Sequence, residues 1–227
     1  MSNGRPLIPP HGGYRDLRAF QAAEAIYDGT VAFTGLYFNG RSRTVDQMVQ
    51  AARSGRQNIA EGSRASGTSK KTELKLVNVA RASLDELLLD YEDFLRQKSL
   101  PVWEKDDPKA VFIRNIGKRL SAESRRKNLT DRTDPTDQTD SKHRTDLTDP
   151  SDPSDPSDSP QKQTPYSHYR LYIEEKGPAN AANTLICLIH QANFLLDRLL
   201  RQLEKDFVEE GGFTEKLYRT RTQSRRG

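Results

Sequence analysis

The sequence predicts an all-α protein: an antiparallel four-helix bundle with a long disordered acidic crossover before the last helix. Three observations carry this. Val77, Leu84 and Tyr91 are spaced by seven, and so are Ala80, Leu87 and Phe94, an a/d seam of nearly three heptads. The segment after Gly177-Pro178 carries two apolar stripes, which only a helix places side by side. Strand signals are missing, because no sustained period-two alternation occurs outside one polar repeat.

That repeat separates the last helix from the others. From Leu129 to Asp158 the chain reads LTD, RTD, PTD, QTD, SKH, RTD, LTD, PSD, PSD, PSD. Nine Asp against Arg132, Lys142 and Arg144 give this stretch a charge of −6. Such a density of Pro, Asp, Ser and Thr neither buries a core nor sustains a helix. A calcium ladder would need converging carboxylates around a Gly-defined turn, usually with a Glu, and these are missing. The expected organisation is a flexible arm over 1–13, helices 1 to 3 over 14–105 and a basic amphipathic segment over 106–128. A disordered tether over 129–165, a segment holding helix 4 over 166–212 and a basic tail over 213–227 complete it.

The first helix is expected from about Arg15 to Phe38, with Leu17, Phe20, Tyr27, Val31 and Phe38 as its apolar positions and Asn39-Gly40 as the turn after it. The second opens at Thr44-Val45-Asp46-Gln47, which has the form of a capping box. Val45, Met48, Val49, Ala52 and Ile59 form its stripe, and Gly62 sits where a left-handed C-terminal residue is wanted. Ala51, Ala52, Ser54, Gly55 and Ala60 make it slim, so it belongs in the middle of a packed assembly. Ser69 caps the third helix, which runs to about Lys98, roughly 45 Å at the helical rise.

Between Lys109 and Lys127, Val111, Phe112, Ile113, Ile116 and Leu120 mark a short amphipathic helix with a charge of +6. Tyr166 to Ile173 is read as an ordered strap. The fourth helix starts with Pro178 in its first turn. Its stripes are Leu185, Leu188, Ala192, Leu195, Leu199 and Ile186, Ile189, Leu196, Leu200, Leu203, Phe207. One is expected on helices 1 to 3 and the other on a neighbouring subunit.

The chain has 227 residues, of which 33% are hydrophobic and 30% charged. Its mean hydropathy is −0.85. That excludes a membrane-spanning reading and a large, evenly packed globule. One cysteine excludes a disulfide framework and a zinc-finger array. The first thirteen residues lack the apolar stretch of a signal peptide, so the expected location is cytoplasmic.

Chemistry-bearing motifs are scarce. No P-loop, Gly-x-Gly-x-x-Gly, Gly-x-Ser-x-Gly or Glu-x-x-His is present. The acids Asp85, Glu86, Asp90, Glu92 and Asp93 therefore read as a solvated face or as partners of basic side chains. Cys187 and His190 stand three apart on helix 4, with Asp197 two turns on, but nothing supplies an oxyanion hole. A packed Cys and a hydrogen-bonded core His fit better. No catalytic residue, metal or cofactor is expected, and no enzyme.

The basic residues do organise. Arg41, Arg43, Arg53, Arg56, Arg64, Lys70, Lys71, Lys75 and Arg81 face only Asp46, Glu61 and Glu73 over the same stretch, a charge of +6. Such a surface attracts phosphate backbones by releasing counterions. Ordinary solvated helix faces, partly neutralised by the acids of helix 3, account for it equally well.

Several segments carry a resemblance. Asp46-Gln47-Met48, Ala51-Ala52, Ser54 and Asn58-Ile59-Ala60-Glu61-Gly62 lie on helix 2. Ser69-Lys70-Lys71-Thr72-Glu73 and Ala80-Arg81-Ala82-Ser83-Leu84-Asp85-Glu86-Leu87 lie on helix 3, and Tyr14-Arg15-Asp16-Leu17 opens helix 1. Together they resemble the four-helix-bundle proteins encoded in intervening sequences of bacterial 23S rRNA. Residues 181–217 look like the suffix domain of one branch of that family. The chain is also similar to the accessory variability proteins of diversity-generating retroelements. The resemblance implies a homopentamer with a basic surface for nucleic acid, RNA ahead of DNA, and a protein partner such as a reverse transcriptase. It implies structural or interface roles for Gln47, Asn58, Glu61, Gly62, Ser83 and Glu86. The expected function is non-enzymatic nucleic-acid association. The alternative is an oligomeric scaffold for a protein partner, without specific nucleic-acid binding.

Overall fold

The computed structural model describes residues 13–40, 42–130, 164–210, 218 and 221–222. Among them the chain is all-helical, without strands. The helices are α1 (Arg18–Tyr37), α2 (Arg43–Ala65), α3 (Lys70–Gln97), α4 (Pro108–Thr130), α5 (Arg170–Glu174) and α6 (Pro178–Glu210). Short 3-10 turns precede α1 and α5. α1 packs on α2, α2 on α3, α3 on α6 and α6 on α1, while α4 and α5 lie against α6.

Local chemistry sets the boundaries. Ser42, not Thr44, caps α2: its side chain accepts from the Val45 amide, so the helix starts before the expected capping box. Ser69 caps α3 as predicted, accepting from the Thr72 amide. Ser99 then adopts φ 51°, and Leu100 N–H reaches back to Leu95 O at 2.9 Å. That closure turns the chain out of α3. Gly177 takes φ +84° immediately before Pro178 opens α6, a geometry that favours glycine.

The heptad seam of α3 is the backbone of the core, with all six of its residues buried. Phe33 of α1 meets Tyr91 and Phe94 edge to face, at centroid distances of 5.0 and 4.8 Å. Two expectations on α1 and α2 change. The buried line of α1 is Ala19, Ala23, Ile26, Thr30 and Phe33, whereas Val31 is exposed. Gly62 does not end α2 but lies buried inside it, where an added Cβ would stand 3.5 Å from Glu73 O and Val77 Cγ2. Its smallness serves close helix packing rather than a left-handed turn.

Gly55 shows the same principle more sharply. A Cβ there would lie 2.8 Å from Leu84 Cδ2 and 2.9 Å from Leu84 Cγ. Gly55→Val is therefore expected to push α2 off α3 and to cost about 1–3 kcal/mol of stability by overpacking. Urea unfolding followed by circular dichroism checks this, and an unchanged midpoint would contradict the close approach.

Both stripes of α6 are largely covered within one chain. Leu185, Leu188 and Ala192 are buried, and so are Ile186, Ile189, Leu196 and Leu203. α4 and α5 pack on α6 and supply cover that the sequence had assigned to a neighbouring subunit. Among the described side chains of α4, Ala110, Ile113 and Ile116 are buried, while Val111 and Phe112 are exposed. α4 also takes in Leu129 and Thr130, the first two residues assigned to the tether, and Pro165 at its other end begins the turn before α5. The remaining tether and nearly all of the tail lie outside the described residues.

Candidate nucleic-acid interface

The basic residues of α2 and α3 divide into groups by what they touch. Arg43, Arg53, Lys71 and Lys75 are exposed. Arg41 lies outside the described residues. Arg56 is half-buried, with its guanidinium 4.2 Å from the centre of the Tyr27 ring on α1. Arg64 is exposed but rests 4.9 Å over the Tyr14 ring and donates to the Tyr14 hydroxyl at 3.2 Å. Arg56 joins α2 to α1 and Arg64 joins α2 to the 3-10 turn before α1, both by stacking, which ties down part of their freedom to meet a ligand.

Two further cations neutralise acids. Lys70 Nζ stands 3.3 Å from Glu73, a buried carboxyl that desolvation pushes above the usual carboxylate range while Lys70 opposes the shift. Arg81 donates to Asp197 on α6 at 2.6 Å and to Asp85 at 2.7 Å. Asn193 Nδ2 donates to the other Asp85 oxygen at 2.6 Å, so one polar cluster fixes the register of α6 on α3. Asp197 is thus Arg81's partner and is not free to support Cys187 and His190.

Arg56 also faces acids. Glu24 and Asp28 of α1 both have raised pKa values, chiefly through desolvation, and the charge of Arg56 pulls each back down. A cleft of about 300 Å³ opens here, lined by Arg15, Arg56, Arg64, Glu24 and Glu61 among others. Glu61 is therefore an exposed member of a mixed-charge site.

The remaining motif residues meet at the α2–α3 contact. Ser54 and Ser83 hydroxyls lie 2.9 Å apart, and Asn58 Nδ2 donates to Ser54 O at 2.9 Å and to Ser54 Oγ at 3.1 Å. Ser83 bridges helices as expected. Asn58 bonds within its own helix rather than fixing a turn. Gln47 and Glu86 are exposed and line a cleft of about 390 Å³ together with Arg43, Asp46, Ser54 and Ser83. Two carboxylates against one guanidinium make that cleft a poor phosphate site. Any phosphate contact falls instead to Arg53, Lys71 and Lys75, with Arg43 and Arg64 at the margins.

No protein family, curated protein or solved structure matches this chain. The site must therefore be read from its own chemistry.

Cys187 is buried, and desolvation pushes its thiol up to about 11 although Arg114 opposes the shift. Little thiolate exists near neutral pH, and the thiolate is the nucleophile. His190 is exposed, not the core histidine expected. Sequence reasoning missed the aromatic seats Tyr14 and Tyr27. Tyr14 and Arg64 stand fifty residues apart, and no local spacing signals such a pair. No helix among the described residues is long and apolar enough to cross a membrane.

Proposed function

We propose that the chain is a non-enzymatic nucleic-acid-associated protein that holds phosphate backbones with exposed basic side chains of α2 and the first turns of α3. The observation that carries this is a surplus that survives internal pairing. Lys70, Arg81, Arg56 and Arg64 are engaged by neighbours, yet Arg43, Arg53, Lys71 and Lys75 remain exposed beside two exposed acids of α2, Asp46 and Glu61. These cations stand as separate charges along helix faces, so the reading is backbone contact with little sequence selection. RNA is placed ahead of DNA on the resemblance to the rRNA intervening-sequence proteins.

The finer architecture belongs to the same proposal. Contacts of α1 with α2, α2 with α3, α3 with α6 and α6 with α1 support an antiparallel four-helix bundle. A homopentamer would repeat the basic surface around a ring and multiply its field. The single buried thiol suits a cytoplasmic setting.

An anisotropy titration with a structured RNA and a DNA duplex of equal length, at several salt concentrations, tests the reading. Four phosphate contacts on the duplex correspond to a slope of about −3.6 in log affinity against log salt. Tighter binding of the RNA is expected. Failure to saturate with either ligand at low salt would overturn the proposal and favour an oligomeric scaffold for a protein partner.

A further inference from the structure

A cleft of about 640 Å³ lies between α4, α6 and the chain that follows α3. Its volume falls in the range that holds drug-sized ligands. We propose that it is a binding site for a small amphipathic anion, an apolar body bearing one carboxylate.

The cleft is built and held open at both ends. At one end the buried Asn183 of α6 clamps the chain after α3, accepting from Trp103 N–H at 2.7 Å and donating to Pro101 O at 2.8 Å. The left-handed turn at Ser99 directs that chain toward α6. At the other end α4 approaches α6 at Gly117, where an added Cβ would stand 2.5 Å from Gln191 Oε1. Between these two points Ala110, Arg114 and Lys118 recur along α4 at four-residue spacing, opposite Ile186, Cys187 and Phe194 of α6.

The lining has the two parts that such a ligand needs. Val102, Trp103, Ile186, Cys187, Phe194 and Leu195 give an apolar wall, and Val102 and Phe194 are more than half exposed. Around it stand Lys105, Arg114, Lys118 and Arg198, with Glu92 and Glu104 as the acids among the described residues. Two positive charges in excess beside an apolar wall complement a carboxylate with a hydrocarbon or aromatic tail. The fork of Arg114 is set in place by its bond to Lys105 O, and Arg198 lies 6.0 Å over the Phe194 ring. Gln191 Nε2, buried in the wall, makes no hydrogen bond among the described residues and offers a further donor.

Trp103 is the only tryptophan of the chain, so its emission reports on this cleft alone. The full chain is titrated with decanoate, kept below its micellar range, and with decyltrimethylammonium as the cationic counterpart. A saturable change with decanoate and none with the cation is expected. The double variant Lys118→Glu with Arg198→Glu, both exposed positions, is expected to weaken decanoate at least tenfold while leaving the far-ultraviolet circular dichroism unchanged. As an independent reading, bound decanoate is expected to slow alkylation of Cys187, the only thiol. Equal responses to both amphiphiles, no response to decanoate, or unchanged affinity in the variant would each overturn the proposal. A response only to phosphatidylglycerol vesicles would overturn it in favour of a lipid surface. An affinity that shifts with protein concentration would do so in favour of a second copy of the chain.

Discussion

Tyr91→Ala is expected to lower stability by about 3–5 kcal/mol, the largest effect of any single substitution considered. Tyr91 is fully buried, and its ring packs edge to face on Phe33. Its hydroxyl donates to Thr30 Oγ1 at 2.9 Å, and Thr30 passes a hydrogen bond on to Ile26 O at 2.7 Å. Burial holds the phenol protonated far above its ordinary range. The side chain therefore serves twice, as the apolar centre of the α1–α3 contact and as the head of a short polar chain into α1. Tyr91→Phe separates the two roles. It keeps the ring and removes only the hydroxyl, so a loss of about 0.5–1.5 kcal/mol is expected. Urea unfolding of both variants checks the order. Equal losses would mean that the hydrogen bond, not the packing, dominates.

Reversing Arg53, Lys71 and Lys75 to Glu together is expected to weaken nucleic-acid binding at least a hundredfold at low salt. It should also flatten the salt slope by about three. These three side chains make no hydrogen bond or ion pair among the described residues, so the fold and oligomeric size should be unchanged. Arg56 is left out because its stacking on Tyr27 would confound the result with lost packing. Reversal of Arg119, Lys176 and Arg201, exposed cations on other elements, changes net charge equally. Anisotropy titrations of the two triple variants decide the matter. An equal loss in both would reduce the interaction to overall charge and remove the assigned surface.

The helical class and the α3 seam were legible because a seven-residue repeat leaves its mark in a single segment. Ser69 and Pro178 were legible because a cap or a first-turn proline acts within one turn. Other features depend on partners remote in sequence. Gly62 looked like a helix end, since a glycine needed for close packing and one needed for a left-handed turn are the same letter. The face of α1 was misplaced at Val31 because Ala23 and Thr30, small or polar, line the true contact. The basic cluster was visible as composition. Its division into exposed and paired cations was not, because Arg81 finds Asp197 across 116 positions. The α4–α6 cleft was invisible for the same reason, its walls coming from segments far apart along the chain.

The contact of α6 with both α1 and α3 also carries a consequence for biosynthesis. α6 begins about 80 residues after α3 ends. At roughly 5–20 residues per second, a ribosome takes about 5–15 s to bridge that interval. Throughout it the surfaces of α1 and α3 that α6 will cover are already made and remain wet. A nascent chain in this state exposes its stickiest face before its own lid exists. Its yield in a cell therefore depends on what shields that face during those seconds, and crowded polysomes or a scarcity of chaperones will penalise it before the finished protein's stability matters.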